Sequence, residues 1–187
     1  MEELFKEELL SGEKLLWHAK PEEFETLDVT HKKPVTVRAA LTICIVAALC
    51  VIYVVYANSK GIDVKPSLVV IAMGCAVIGA FNYIFESKKL RKINYAVTDQ
   101  RIIFGDEILK SLEFSKINKL ELKTDADGHT SILFGDIAIK AKPHKWRSLA
   151  TADAYIDTDT DFCTRFVMYA VPNAEQVKDI LSKYIPL

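Results

Sequence analysis

The 187-residue chain carries 24 Lys and Arg against 25 Asp and Glu, a net charge of −1, so overall charge names no partner, and nucleic acid is not expected because no supporting motif is present. Its four cysteines, Cys44, Cys50, Cys75 and Cys163, have neither the spacing of a disulfide framework nor that of a zinc site, and read as small apolar residues.

Residues 1–36 form a polar N-terminal segment with nine Asp and Glu against five Lys, opening on Met1-Glu2-Glu3 without a secretory basic region. Near-helical spacing of apolar residues here stops at Ser11-Gly12, and Pro21 ends any regular element running on from Trp17.

Two charge-free runs come next. Residues 39–56 read AALTICIVAALCVIYVVY and residues 67–85 read SLVVIAMGCAVIGAFNYIF. As helices they are about 27–29 Å long, close to a hydrocarbon core of about 30 Å. The linker ANSKGIDVKP between them is too short for a domain. Residues 37–86 are therefore expected to be a transmembrane helical hairpin, with spans near 39–57 and 66–85. Lys32, Lys33, Arg38, Lys88, Lys89, Arg91 and Lys92 flank it, against Lys60 and Lys65 in the loop. That bias places both termini in the cytoplasm of a multi-pass inner-membrane protein. Ala40, Cys44 and Ala48 in the first run, and Ala72, Ala76 and Ala80 in the second, recur every fourth residue. They read either as a helix-packing face or as ordinary span composition.

Residues 87–187 read as a cytoplasmic domain. INYAV, RIIF, LKSLEF, INKLELK, TSILF, DIAIK and RFVMYAV are strand-like and separated by turn signals such as TDADGH. After Pro172 the period changes: Asn173 is placed to cap a helix with Val177, Ile180, Leu181 and Tyr184 on one face, ended by Pro186. Strands followed by one helix give an α+β class.

YAVTDQRIIF, residues 95–104, resembles the signature hairpin of the bacterial PH-like (pleckstrin-homology-like) domain family. GEKLLWHAKP resembles the segment preceding the membrane hairpin in such proteins, and FVMYAVPNAEQVKDIL is similar to their closing strand, turn and helix. The resemblance implies a bent antiparallel β-barrel capped by the C-terminal helix, with Thr98, Asp99 and Arg101 bracing the signature turn. The turn carries one cation and one anion, not the basic cluster that phosphoinositide recognition uses.

No catalytic, cofactor or metal constellation is read. Aligning Gly128 with the glycine of a calcium loop puts Lys123 and Phe134 at ligand positions. His18, His31, His129 and His144 show no ligand spacing. The patch KAKPHKWR reads as a solvated loop with a packed tryptophan, or as a headgroup contact through Lys142, Lys145 and Trp146. With Lys32, Lys33, Lys88, Lys89, Arg91 and Lys92 these complete the expected lipid-facing set. The expected protein is not an enzyme. It is a membrane-anchored scaffold for self-association or for docking a membrane or cytoplasmic protein; the alternative is an accessory subunit of a transporter or secretion complex acting through its hairpin.

Overall fold

The computed structural model describes residues 5–27, 29–142 and 145–185. The expectations for His144 and Pro186 fall outside them. The chain divides into two compact units. One comprises residues 31–85; the other joins residues 1–30 to residues 86–187.

In the first unit, helix α1 (Val29–Ser59) begins about ten residues before the charge-free run and takes Pro34 into its early turns. From Lys32 to Ser59 it is long and apolar enough to cross a membrane. Its end is closed by Gly61 at φ +64, with the N–H of Ile62 on the carbonyl of Ala57 and that of Gly61 on Asn58. This crossed pair satisfies the orphan carbonyls of the last turn and needs a residue that tolerates the left-handed region. Helix α2 (Pro66–Ala80) starts on a proline and has only 15 residues. It is followed by α3 (Asn82–Lys92). Between them Phe81 leaves helical geometry at φ −102 and ψ 14, its N–H shared between the carbonyls of Val77 and Ile78.

The two-helix transmembrane hairpin is therefore corrected: among the described residues one helix qualifies as a span, and the run 66–85 is broken. Absence of charge set the expected length, but it does not register where the backbone leaves the helix. Along α1 and α2, Val46, Leu49, Cys50, Tyr53, Leu68 and Ala76 line a common apolar groove of about 540 Å³.

The second unit holds two antiparallel sheets. Strands β1 (Leu15–Ala19), β2 (Asn94–Thr98), β3 (Arg101–Gly105) and β4 (Leu109–Glu113) form the first in that order. The other has strands β5 (Leu120–Thr124), β6 (Thr130–Phe134), β7 (Tyr155–Ile156) and β8 (Cys163–Met168), in the order β5-β6-β8-β7. The closed barrel implied by the resemblance is overturned: the sheets are open and separate. A 3-10 turn at Phe114–Lys116 buries Phe114 and Ile117 where β4 would run on into β5. DIAIK, expected as a strand, lies in helix α4 (Gly135–Lys140). A short apolar alternation fits either state, and the left-handed Gly135 at φ +76 turns the chain out of β6. Trp146–Thr151 form α5, and Ala174–Leu181 form α6. Asn173 precedes α6 in the left-handed region (φ 53) and makes no side-chain cap bond.

The core lies between the sheets. Tyr95, Val97, Ile102, Phe104 and Leu112 of the first sheet join Ile132, Phe134, Phe166 and Met168 of the second in one buried cluster, closed by Val177 and Leu181 of α6. Phe104 and Phe166 meet at 4.3 Å between ring centroids. The other face of the first sheet is covered as well, by Phe5 and Leu9 on Ala96 and Ile103. Sheets buried on both faces read as continuous apolar runs, as INYAV and RIIF do.

Candidate functional site

Two of the three stretches on which the resemblance rests, GEKLLWHAKP and YAVTDQRIIF, meet in space. β1 pairs with β2, Trp17 opposite Val97 and Ala19 opposite Tyr95. At the turn after β2, the N–H groups of Gln100 and Arg101 donate to Thr98 Oγ1. The Thr98 hydroxyl donates to Glu13 Oε1 at 2.7 Å. Arg101 grips the same carboxylate with two nitrogens, Nε to Oε1 at 3.0 Å and Nη2 to Oε2 at 3.1 Å, and Leu10 N–H donates to Oε2 at 2.7 Å. Asp99 completes the seam, its Oδ1 accepting the N–H of Lys14. Thr98, Asp99 and Arg101 thus bind the turn to the N-terminal segment, and Glu13, which the sequence reading passed over, is the common partner of Thr98 and Arg101.

Burial of Glu13 works to raise its pKa, but the hydrogen bonds from Arg101, Thr98 and Leu10 and the Arg101 charge outweigh it and hold the carboxyl below the usual glutamate range. A depressed carboxyl adds stability that is complete above its unfolded value of about 4.3 and is lost as pH falls through the lower folded value. Glu13→Gln should therefore cost about 1.5–3 kcal/mol at neutral pH, the range for hydrogen bonds to a charged group. The gap between variant and parent should close below about pH 4. Urea titrations at about pH 7 and about pH 3.5, either side of that value, check it, and a gap independent of pH would refute the assignment.

A second polar centre fixes the segment that leads into α1. Phe24, buried, has the Arg147 guanidinium 4.4 Å and that of Arg91 5.3 Å from its ring centroid, and meets Tyr169 edge-on at 5.3 Å. Arg91 donates to the carbonyl of Phe24 at 2.7 Å and to Thr26 Oγ1. Arg147, 3% exposed, donates to Tyr169 Oη, the carbonyl of Thr26 and Ser87 Oγ. Burial pulls the Arg147 guanidinium below its ordinary value, and the Tyr169 oxygen partly restores it. Burial likewise pushes Tyr169 up to about 12. It therefore keeps its proton and donates to Asp125 Oδ2 at 3.1 Å.

Asp125 lies in the turn between β5 and β6. Its Oδ1 accepts the N–H groups of Asp127 and His129, both at 3.0 Å. Asp127 Oδ1 accepts the N–H of Val29, and His129 Nε2 lies 3.0 Å from the carbonyl oxygen of Glu23. Asp125, Asp127 and His129 can each offer one metal-ligand atom to a common point. The scattered-histidine reading missed this. The signal was the i, i+2, i+4 spacing in DADGH, which a turn gathers onto one side.

The remaining expected site residues are dispersed. Lys32, Lys33, Lys88, Lys142 and Lys145 are exposed. Lys89 donates to the carbonyl of Thr151, and Lys92 sits 3.8 Å from Asp106. Arg91 is committed to Phe24 and Thr26, as above. Trp146 is 2% exposed, in the core, with Nε1 on the carbonyl of Ala141, so it does not face lipid. Ala76 and Ala80 are buried and Ala72 lines the groove, whereas Ala40, Cys44 and Ala48 are exposed on α1. α1 turns Val46, Leu49, Cys50 and Tyr53 to the groove instead. Cys163 is buried, and burial pushes its thiol up to about 11, which keeps it a protonated, inert group at neutral pH. Comparisons with family models, curated proteins and solved structures give no match.

Proposed function

We propose that the protein is a membrane-anchored binding module whose two-sheet unit docks a protein, first of all a second copy of the chain, at the membrane face. The observation that supports this reading most directly is the pairing of β1 with β2, which folds both flanks of the apolar unit into one body with open sheet edges. An edge strand presents a row of unpaired N–H and C=O groups and is a ready surface for strand addition. The resemblance of residues 95–104 to the bacterial PH-like family supports the same class of role. Crosslinking tests it. Ser111→Cys on β4 and Lys123→Cys on β5, each in a background without the native cysteines, should give a discrete crosslinked product in native membranes. Absence of any product at both edges, in protein that is folded, would overturn it.

The same pairing bears on topology. Because Trp17 lies opposite Val97, residues 19 and 94 are on one side of any membrane. If α1 crosses, the chain must return before β2, over residues 60–93, as a broken path rather than a second straight helix. Lys32, Lys33, Arg38, Lys88, Lys89, Arg91 and Lys92 against Lys60 and Lys65 favour a cytoplasmic two-sheet unit. A cysteine replacing Ile62 should react with an impermeant thiol reagent in intact cells, and one replacing Ser111 should not. The reverse pattern would invert the orientation, and labelling or protection of both would reject the crossing.

A further inference from the structure

We propose that Asp125, Asp127 and His129 form a binding site for one first-row transition-metal dication of the zinc class, at the turn between β5 and β6. Their three donor atoms lie within 4.8 Å of one another. Two of these residues hold orphaned atoms: Asp127 Oδ2 and His129 Nδ1 are buried without a hydrogen-bond partner. The third residue, Asp125, has no exposed side-chain surface, and its Oδ1 is 3.8 Å from His129 Nδ1.

The histidine tautomer sharpens the case. The carbonyl oxygen of Glu23 can only accept, so the proton of a neutral His129 ring sits on Nε2. Nδ1 then turns a bare lone pair toward carboxylate oxygen, an arrangement that is repulsive until a cation lies between them. A metal-bound histidine characteristically donates its other ring N–H to a carbonyl or carboxylate, as here. The carboxylates are held too. Asp125 Oδ1 accepts two backbone N–H groups and Oδ2 accepts the Tyr169 hydroxyl, while Asp127 Oδ1 accepts the N–H of Val29. The supporting bonds leave Asp127 Oδ2 and His129 Nδ1 unused.

The donor set selects the ion. Calcium takes about 6–8 oxygens, whereas one imidazole with two carboxylates suits zinc and its neighbours. Three protein donors leave a fourth position for water. Bonds of about 2.0–2.1 Å in a tetrahedron put donor atoms about 3.3–3.5 Å apart, so the ion draws the turn inward. His129 and Asp127 also hold the backbone of Glu23 and Val29. Occupancy would therefore stiffen the segment leading into α1.

The test uses the full chain in mild detergent, stripped with chelator and titrated with Zn²⁺ alone. Calorimetry should show one ion per chain. Asp127→Asn removes the anion yet keeps an acceptor for Val29; it and His129→Gln should each weaken binding by about tenfold or more. Nitrogen NMR of the parent protein gives an independent reading, since Zn²⁺ must shift the Nδ1 resonance of His129. Failure of the parent to bind at one to one, binding by both variants equal to that of the parent, or an Nδ1 resonance that Zn²⁺ leaves unmoved would each overturn the site. If either variant fails to fold, the Nδ1 resonance of the parent decides.

Discussion

Gly135→Ala is expected to stop the two-sheet unit from reaching its native packing, with a loss of about 4 kcal/mol or more. Gly135 joins β6 to α4 at φ +76, where an L side chain costs about 1–2 kcal/mol by itself. The added methyl would overlap the carbonyl oxygen of Cys163 and approach the Thr164 carbonyl carbon to 2.7 Å and its Cα to 2.9 Å. All three are backbone atoms of β8, so no side chain can swing aside. β8 would have to withdraw from β6, opening the pairs Leu133–Val167 and Phe134–Phe166 at the centre of the core. Expression with circular dichroism and detergent size-exclusion reads the outcome. A soluble variant with the cooperative unfolding of the parent would show that this close approach is not required.

Arg147→Ala should cost about 3–5 kcal/mol, the penalty for dismantling a buried, fully bonded charge site. It removes the plane that lies against Phe24 and takes a donor away from the Tyr169 hydroxyl, the Thr26 carbonyl and Ser87 Oγ. Arg147→Lys should recover only part of that, because an ammonium is not planar and cannot serve three directions in the same fork. The neighbouring Trp146, buried with Arg147, provides the fluorescence signal for urea titration. Equal midpoints for the lysine variant and the parent would reduce the site to a simple charge.

The apolar inventory was legible in the sequence because burial leaves a direct imprint on residue type. INYAV, RIIF and TSILF became β2, β3 and β6, and Val177 and Leu181 face the core from α6. The candidate site was less legible. Phe24, Arg147 and Tyr169 are 123 and 22 positions apart in turn, and no local period links them. Glu13 looked like one of nine acids in a solvated segment until Arg101 was placed over it. DIAIK and the run 66–85 failed for a different reason. Their composition was read correctly, but the backbone breaks at Gly135 and Phe81 depend on dihedral geometry, which composition records only weakly.

The pairing of β1 with β2 also sets an order of events in time. Trp17 waits for Val97, 80 positions later, so at about 5–20 residues per second roughly 4–16 s of translation separate the two partners. Throughout that interval the whole apolar unit is leaving the ribosome while Leu15, Leu16 and Trp17 have no sheet to join. Handling of α1 therefore precedes closure of the first sheet, and the nascent N-terminus must be kept from pairing elsewhere. For the same reason residues 5–20 cannot be trimmed or replaced by a tag without loss to the first sheet. Cutting after Lys20 removes an edge strand and, with Glu13, the carboxylate on which Arg101 and Thr98 close.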